Sequence, residues 1–316
     1  MQNQKYLLPI GFYDLLGDEA KINQQTINTL LDSFYDADYQ LIKTPLAEFE
    51  ESLENSRTKK KSFKMVDNFS GKTLVMRSDI TPQIARLVAT KLKTVPSPIK
   101  LCYVGDVLKT KTDNLYADRQ LTQVGIELVG RDEKLNSCEA NSQIIELTLL
   151  SLKKVGLSGL MINFCCPGFL DILLGGMEVD NVAELKAAII SKNISKIKNL
   201  GGKYQDDFVY LALENGDFSK ISEVISRLGA NKETLEQLEK WQKTIIATQN
   251  NHPEIEFSVD IFGDDEFYYH QQIGFTVFSG SFSYPIARGG RYLINQEIPA
   301  VGASIYINHL RKILTK

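Results

Sequence analysis

Residues 119–129 read RQLTQVGIELV, and no other stretch constrains the fold as tightly. Side chains alternate between the two faces of a strand. As a strand, this segment puts Thr122, Val124, Ile126 and Leu128 on an ordinary apolar core face. Leu121, Gln123, Gly125 and Glu127 take the opposite face. A glycine between Gln123 and Glu127 is expected to leave open space over the sheet, bordered by an amide and a carboxylate. Such a hollow suits a cationic or hydrogen-bonding small ligand. The alternative is an exposed sheet face on which Glu127 meets only solvent. Residues 99–109 read as a neighbouring strand with the same device: Tyr103, Gly105, Val107 and Lys109 share a face, again with glycine inside it.

The rest of the chain arranges itself around these strands. A helix is expected after Asp18, its N-cap, with Ile27, Leu30, Leu31 and Phe34 on one face. A short strand covers 39–45. Residues 62–67 and 72–77 flank Asn68-Phe69-Ser70-Gly71 as a hairpin. Ser70-Gly71-Lys72-Thr73 is not a phosphate loop, because the required upstream glycine position is Val66. Thr81 is read as capping a second helix, with Pro82 in its first turn and Ile84, Leu87 and Val88 inward. Arg77 and Asp79 just precede that helix, whose free N–H groups suit an anion such as a carboxylate. A further helix over 137–155 stops at Gly156. Residues from about 163 to 251 read as a helical insertion, with faces such as Val182/Leu185/Ile189 and Leu238/Trp241/Ile245. Strands return at 256–262 and 268–279, continuing to 286. Gly289-Gly290 is read as a tight turn, followed by a last strand over 300–307 and a short helix. Strands gather at both ends and helices do not alternate with them. The expected class is therefore α+β, a mostly antiparallel sheet flanked by helices.

Composition narrows the function. A chain of 316 residues, 43% hydrophobic and 24% charged, buries a large core without staples. A net charge of −3 gives no general attraction to nucleic acid or to an anionic membrane. Arg57, Lys59, Lys60, Lys61 and Lys64 form one basic cluster, either a solvated loop or a docking patch for phosphate or an acidic partner. The start Met1-Gln2-Asn3-Gln4-Lys5 has no apolar signal core, and no apolar run is long enough for a bilayer. A cytoplasmic location is expected. Cys102, Cys138, Cys165 and Cys166 make no C-x-x-C pair and read as reduced, mostly buried thiols. His252, His270 and His309 show no zinc-type spacing with them. No metal and no cofactor are expected.

The order of motifs resembles the catalytic domain of histidyl-tRNA synthetase, a class II synthetase fold. It resembles more closely the synthetase-like regulatory subunits of ATP phosphoribosyltransferase. Pro9-Ile10-Gly11-Phe12-Tyr13-Asp14 and Ile42-Lys43-Thr44-Pro45 open the match, which runs to Leu310 and weakens over the helical insertion. Met76-Arg77-Ser78-Asp79-Ile80-Thr81-Pro82-Gln83 is similar to the family's L-R-P-E/D-x-T segment. Residues 119–127 are similar to its R-Q-F-x-Q-x-G-x-E strand, Ala287-Arg288-Gly289-Gly290-Arg291-Tyr292 to its G-G-R-Y turn, and Pro299-Ala300-Val301-Gly302 to the start of motif 3. The resemblance implies one class II domain over 1–316 with the insertion at about 163–251, and no C-terminal anticodon-binding domain. It also implies a histidine-binding set. Asp79 and Gln123 would receive the ammonium group, Glu127 that group or the imidazole, and Thr81 would contact the amino acid. Lys109, Tyr269 and His270 complete the set. Phe267-Tyr268-Tyr269-His270 aligns with the family's histidine-ring loop, then departs from it at Gln271-Gln272.

Other departures concern catalysis. Adenylate formation holds phosphate charge against fixed arginines. The motif 2 arginine position is Lys109, which lacks the planar fork. The arginine position before the ring loop is Asp265, and the motif 3 arginine position is His309, preceded by Asn308. No catalytic residue is expected. The resemblance therefore implies a regulatory subunit with a short-form ATP phosphoribosyltransferase catalytic subunit as partner. It would serve the first step of histidine biosynthesis, with histidine as effector and self-association as a dimer. Two other readings are a divergent, truncated synthetase that still activates an amino acid, and an RNA-binding regulator on the same fold.

Overall fold

The computed structural model describes residues 7–52, 62–111, 118–131, 135, 138–177, 179–213, 218–262, 270–280 and 282–315. Its strands are β1 (Gln40–Ile42), β2 (Ala47–Phe49), β3 (Lys64–Val66), β4 (Thr73–Met76), β5 (Ile99–Leu108), β6 (Gln120–Val129), β7 (Leu160–Cys165), β8 (Glu256–Val259), β9 (His270–Ser279), β10 (Phe282–Ile294) and β11 (Ile298–Tyr306). Its helices are α1 (Gly17–Tyr35), α2 (Thr81–Thr90), α3 (Cys138–Lys154), α4 (Phe169–Gly175), α5 (Val182–Ile190), α6 (Ile194–Leu200), α7 (Gln205–Leu213), α8 (Phe218–Arg227), α9 (Lys232–Asn251) and α10 (Ile307–Leu314).

The alternating segment at 119–129 becomes β6, paired antiparallel with β5 from Leu108↔Gln120 to Ile99↔Val129. Eight strands form the main sheet in the order β1-β5-β6-β11-β10-β9-β7-β8. The interior pairings are all antiparallel, and only the outer pairs β1/β5 and β7/β8 are parallel. The expected α+β class with a mostly antiparallel sheet is the observed one. Both faces of β6 are buried. Val124, Ile126 and Leu128 join a core with Ile27, Leu30 and Phe34 of α1 and Ile144 and Leu149 of α3. Leu121 and Val129 join a second core with Ile84 and Val88 of α2. A small sheet, β2-β4-β3, contains the expected hairpin, turned where Ser70 Oγ and the backbone N–H groups of Phe69 and Ser70 donate to the Asp67 carboxylate.

Four local expectations are corrected. Gly289 and Gly290 do not turn the chain; they lie within β10, where Gly290 pairs with Gly302 on one side and Gly274 on the other. A Cβ at Gly289 would collide with the Phe275 ring, so glycine serves close packing there rather than a turn. Helical structure does not begin near Asn163, which belongs to β7; it begins at α4. Asp18 does not cap α1. That helix starts at Gly17, and Asp18 stands in its first turn, where a carboxylate complements the dipole. Thr81 is the first residue of α2, not its cap, and its hydroxyl is engaged elsewhere.

Helices α4–α9 share the main core: Leu173, Ile189, Phe208, Ile225 and Trp241 are buried in one cluster with Ile162 and Phe164 of β7. Asparagines start three of these helices. Asn181, Asn193 and Asn231 accept the backbone N–H groups of Glu184, Lys196 and Thr234 at 3.2, 3.2 and 2.9 Å. Each satisfies a donor that the helix cannot. Asn231→Ala is expected to destabilise the protein by about 1 kcal/mol, read as a lower urea midpoint with an unchanged slope.

Candidate ligand site

The register of the sheet builds the site. On the α2 side, Tyr103, Gly125, Ser304, Arg288 and Thr276 form one row across five strands. Leu101, Glu127, Gly302, Gly290 and Gly274 form the next. Glu127 therefore stands at the edge of three glycines in register. Its carboxylate lies over Gly302, where a Cβ would strike it.

Glu127 is 1% exposed, which excludes the solvent-facing alternative. Its Oε1 accepts the Thr81 hydroxyl at 3.2 Å and its Oε2 the Tyr292 hydroxyl at 3.0 Å. Burial pushes its pKa up to about 8, against those two hydrogen bonds and with the help of the nearby Asp79 charge. Asp79 is raised too, again by burial; the Thr81 N–H, the Lys109 charge, the Ile80 N–H and the Gln123 amide oppose the rise. Buried Gln123 accepts the Ile80 N–H at 3.3 Å. The structure thus brings Asp79, Thr81, Gln123 and Glu127 together around the start of α2, with the Lys109 charge acting on Asp79. His270 opens β9 opposite Tyr292 in register. Tyr269 and Asp265 lie outside the described residues, as do Arg57, Lys59, Lys60 and Lys61 of the basic cluster.

The expected hollows over Gly125 and Gly105 are occupied. A Cβ at Gly125 would collide with the Tyr103 ring, whose hydroxyl lies 2.7 Å from Ser304 Oγ. A Cβ at Gly105 would collide with the Arg77 guanidinium. That group, 9% exposed, donates to the Asp106 carbonyl at 2.6 Å, to Thr44 Oγ1 at 2.9 Å, to the Thr44 carbonyl at 3.1 Å and to Gln83 Oε1 at 3.3 Å. The free α2 N-terminus expected to receive an anion is also in use, because Asp79 accepts the Thr81 N–H at 3.4 Å and Gln123 that of Ile80. Glycines in a strand therefore mark close packing by neighbouring side chains as much as space for a ligand. Tyr103, Tyr292 and Ser304 were not singled out as site residues. The signal was available for Tyr292, which shares strand parity with Arg288 and Gly290.

A buried carboxylate, a half-buried one, an amide and hydroxyls from Thr81 and Tyr292 make a receptor for a cation or a multiple hydrogen-bond donor. Among the described residues no group of three or more metal-ligating side chains exists. The motif 3 position where a phosphate-binding arginine would be expected is His309, and it is committed differently. The His309 Nδ1–H donates to the Pro285 carbonyl at 2.6 Å, and the ring centroid lies 5.4 Å from Phe282 and 5.5 Å from Tyr306. Burial lowers the His309 pKa and favours the neutral ring. Asn308 accepts the Thr122 N–H at 2.9 Å and donates to the Gln120 carbonyl at 3.0 Å, continuing the β6 ladder where β11 ends.

The sheet, its helices and this site define a class II synthetase-like domain, and a family profile for histidyl-tRNA synthetase matches residues 11–310. A relative from Gluconobacter oxydans (strain 621H), an ATP phosphoribosyltransferase regulatory subunit, is 30% identical over 303 residues, covering 95% of this chain and 79% of its own. The chain belongs to the ATP phosphoribosyltransferase regulatory subunit family, on the histidyl-tRNA synthetase fold. A solved ATP phosphoribosyltransferase regulatory subunit/histidyl-tRNA synthetase from Bacillus halodurans C superposes with a TM-score of 0.85 at 23% identity, covering 100% of this chain and 85% of that one. A chain of the ATP phosphoribosyl transferase complex from Thermotoga maritima does so at 0.69 and 19% identity, covering 90% and 97%.

Proposed function

We propose that this chain regulates a short-form ATP phosphoribosyltransferase, with histidine bound at the Glu127 site as the effector, and activates no amino acid itself. The carrying observation is the carboxylate pair of half-buried Asp79 and buried Glu127 with Gln123 and Thr81, together with His309 and Lys109 at positions where adenylation needs arginines. The pair retains what an amino acid's ammonium or imidazole requires. Lys109 is a point charge without a bidentate fork, and neutral His309 offers no charge to a polyphosphate. The partner assignment rests on family membership. Feedback is then a coupling free energy between this site and the partner's active site, typically about 1–3 kcal/mol, and it is reciprocal. Self-association as a dimer and a cytoplasmic location belong to the same reading.

The test is the phosphoribosyltransferase assay with and without this chain, then with histidine added. Activation that histidine reverses is expected. In Glu127→Ala the activation is expected to persist while the histidine effect is lost, because a charge-assisted partner has been removed. Activation without histidine sensitivity would remove histidine as the effector. No activation, together with histidine-dependent pyrophosphate exchange, would replace the reading with the truncated synthetase.

A further inference from the structure

The far side of β5 and β6 carries a second, unrelated feature. Asp106 and Thr122, paired in register, project away from the Glu127 face, because Gly105 and Gln123 beside them project toward it. They line a cavity of about 390 Å³ with Asn23 and Ile27 of α1, Arg311 of α10, and Leu15. That volume lies within the roughly 300–1,000 Å³ of small-molecule sites.

Arg311 gives this cavity its chemistry. The residue is only 7% exposed, yet no group among the described residues hydrogen-bonds or ion-pairs with its guanidinium. Its nitrogens are not sealed off from solvent and Arg311 lines the cavity, and a guanidinium has five donors in a planar fork that matches a carboxylate. Asn23 offers a second uncommitted group, its side-chain amide. The wall also bears a negative charge. Asp106 accepts Thr122 Oγ1 at 2.6 Å on one oxygen and Gln120 Nε2 at 3.0 Å on the other, which leaves acceptor capacity on both. Asn308 fixes this wall by holding the backbone of Thr122 and Gln120.

We propose that this cavity binds a small zwitterion of the amino-acid type, its carboxylate on Arg311 and its ammonium on Asp106. Ile27 and Leu15 supply the apolar surface for its side chain. A phosphate would satisfy Arg311 but set its second charge against Asp106, which selects the zwitterion. The site is separated from Glu127 by the thickness of the sheet, so the two can be loaded independently.

Titration calorimetry of the full chain with each of the twenty amino acids, and separately with inorganic phosphate, tests this. At least one amino acid is expected to bind equally to the native protein and to Glu127→Gln. Its binding is expected to weaken tenfold or more in Arg311→Gln and in the isosteric Asp106→Asn. Arg311→Lys, which keeps the charge and loses the fork, should fall between; it guards against a folding defect, checked by its thermal melt. Loss of all amino-acid binding in Glu127→Gln would assign every ligand to the first site and overturn the proposal. So would phosphate binding that depends on Arg311 with no amino acid bound there, or amino-acid binding indifferent to both Arg311 variants.

Discussion

Glu127→Gln is expected to make the protein more stable at pH 8 while abolishing the binding of a cationic ligand at its site. In the unfolded chain a glutamate loses its proton near pH 4.5, whereas Glu127 in the fold holds its own to about pH 8. Between those values unfolding releases a proton, so stability falls as pH rises, by about 1.4 kcal/mol per pH unit. Across the window the loss is on the order of 5 kcal/mol. Below pH 4.5 both states are protonated and the penalty is absent. Glutamine has the same shape and no charge to desolvate; its oxygen accepts one of the two hydroxyls of Thr81 and Tyr292, and its N–H group donates to the oxygen of the other. Urea unfolding of both proteins at pH 6, 7 and 8 should show a gap in favour of Glu127→Gln that widens with pH. Parallel curves would mean that Glu127 is not held neutral by burial. The native protein accepts this instability because an arriving ammonium or imidazolium stabilises the carboxylate and expels its proton. Histidine binding near pH 7 should therefore release a proton, measurable by calorimetry in buffers of different ionisation heat. The variant should neither bind nor release one.

The same strand shows how far the sequence carries and where it stops. Alternation in 119–129 correctly separates Gln123 and Glu127 from Val124 and Ile126, because strand parity is local and needs no knowledge of neighbours. What stands over Gly125 is not local. The Tyr103 ring reaches it from β5, and only the pairing register decides that. Gly289-Gly290 follows the same logic: two adjacent glycines signal a turn in isolation, but the smallness of Gly289 admits the Phe275 ring from β9. The caps failed differently. Asp18 and Thr81 have the right chemistry for capping, but the Thr81 hydroxyl is drawn to Glu127, 46 residues on. The true side-chain caps, Asn181, Asn193 and Asn231, sit in the helical block, where periodicity alone sets no start points. Arg311 was invisible for a related reason, since an uncommitted arginine and a paired one read alike until every acceptor around them is placed.

Arg77→Met is expected to cost more stability than any cap, roughly 3–5 kcal/mol. The guanidinium supplies donors to the Asp106 carbonyl, both Thr44 acceptors and Gln83, and methionine supplies none. It also disturbs the ligand site, because Gly105 beneath the guanidinium pairs in register with Gln123. A double-mutant cycle with Gly105→Ala separates the packing contribution from the hydrogen bonds. In the native background the added methyl strikes the guanidinium, so Gly105→Ala should be destabilising by about 1–3 kcal/mol. In the Arg77→Met background the obstacle is replaced by a flexible side chain, and the same methyl should be nearly neutral. The two changes should therefore be non-additive by more than about 1 kcal/mol, as expected for residues in contact. Strict additivity in denaturant unfolding would show that Gly105 is not there to admit Arg77. The glycine would then again mark room for a ligand, and the floor of the candidate site would extend one residue pair further along β5 and β6.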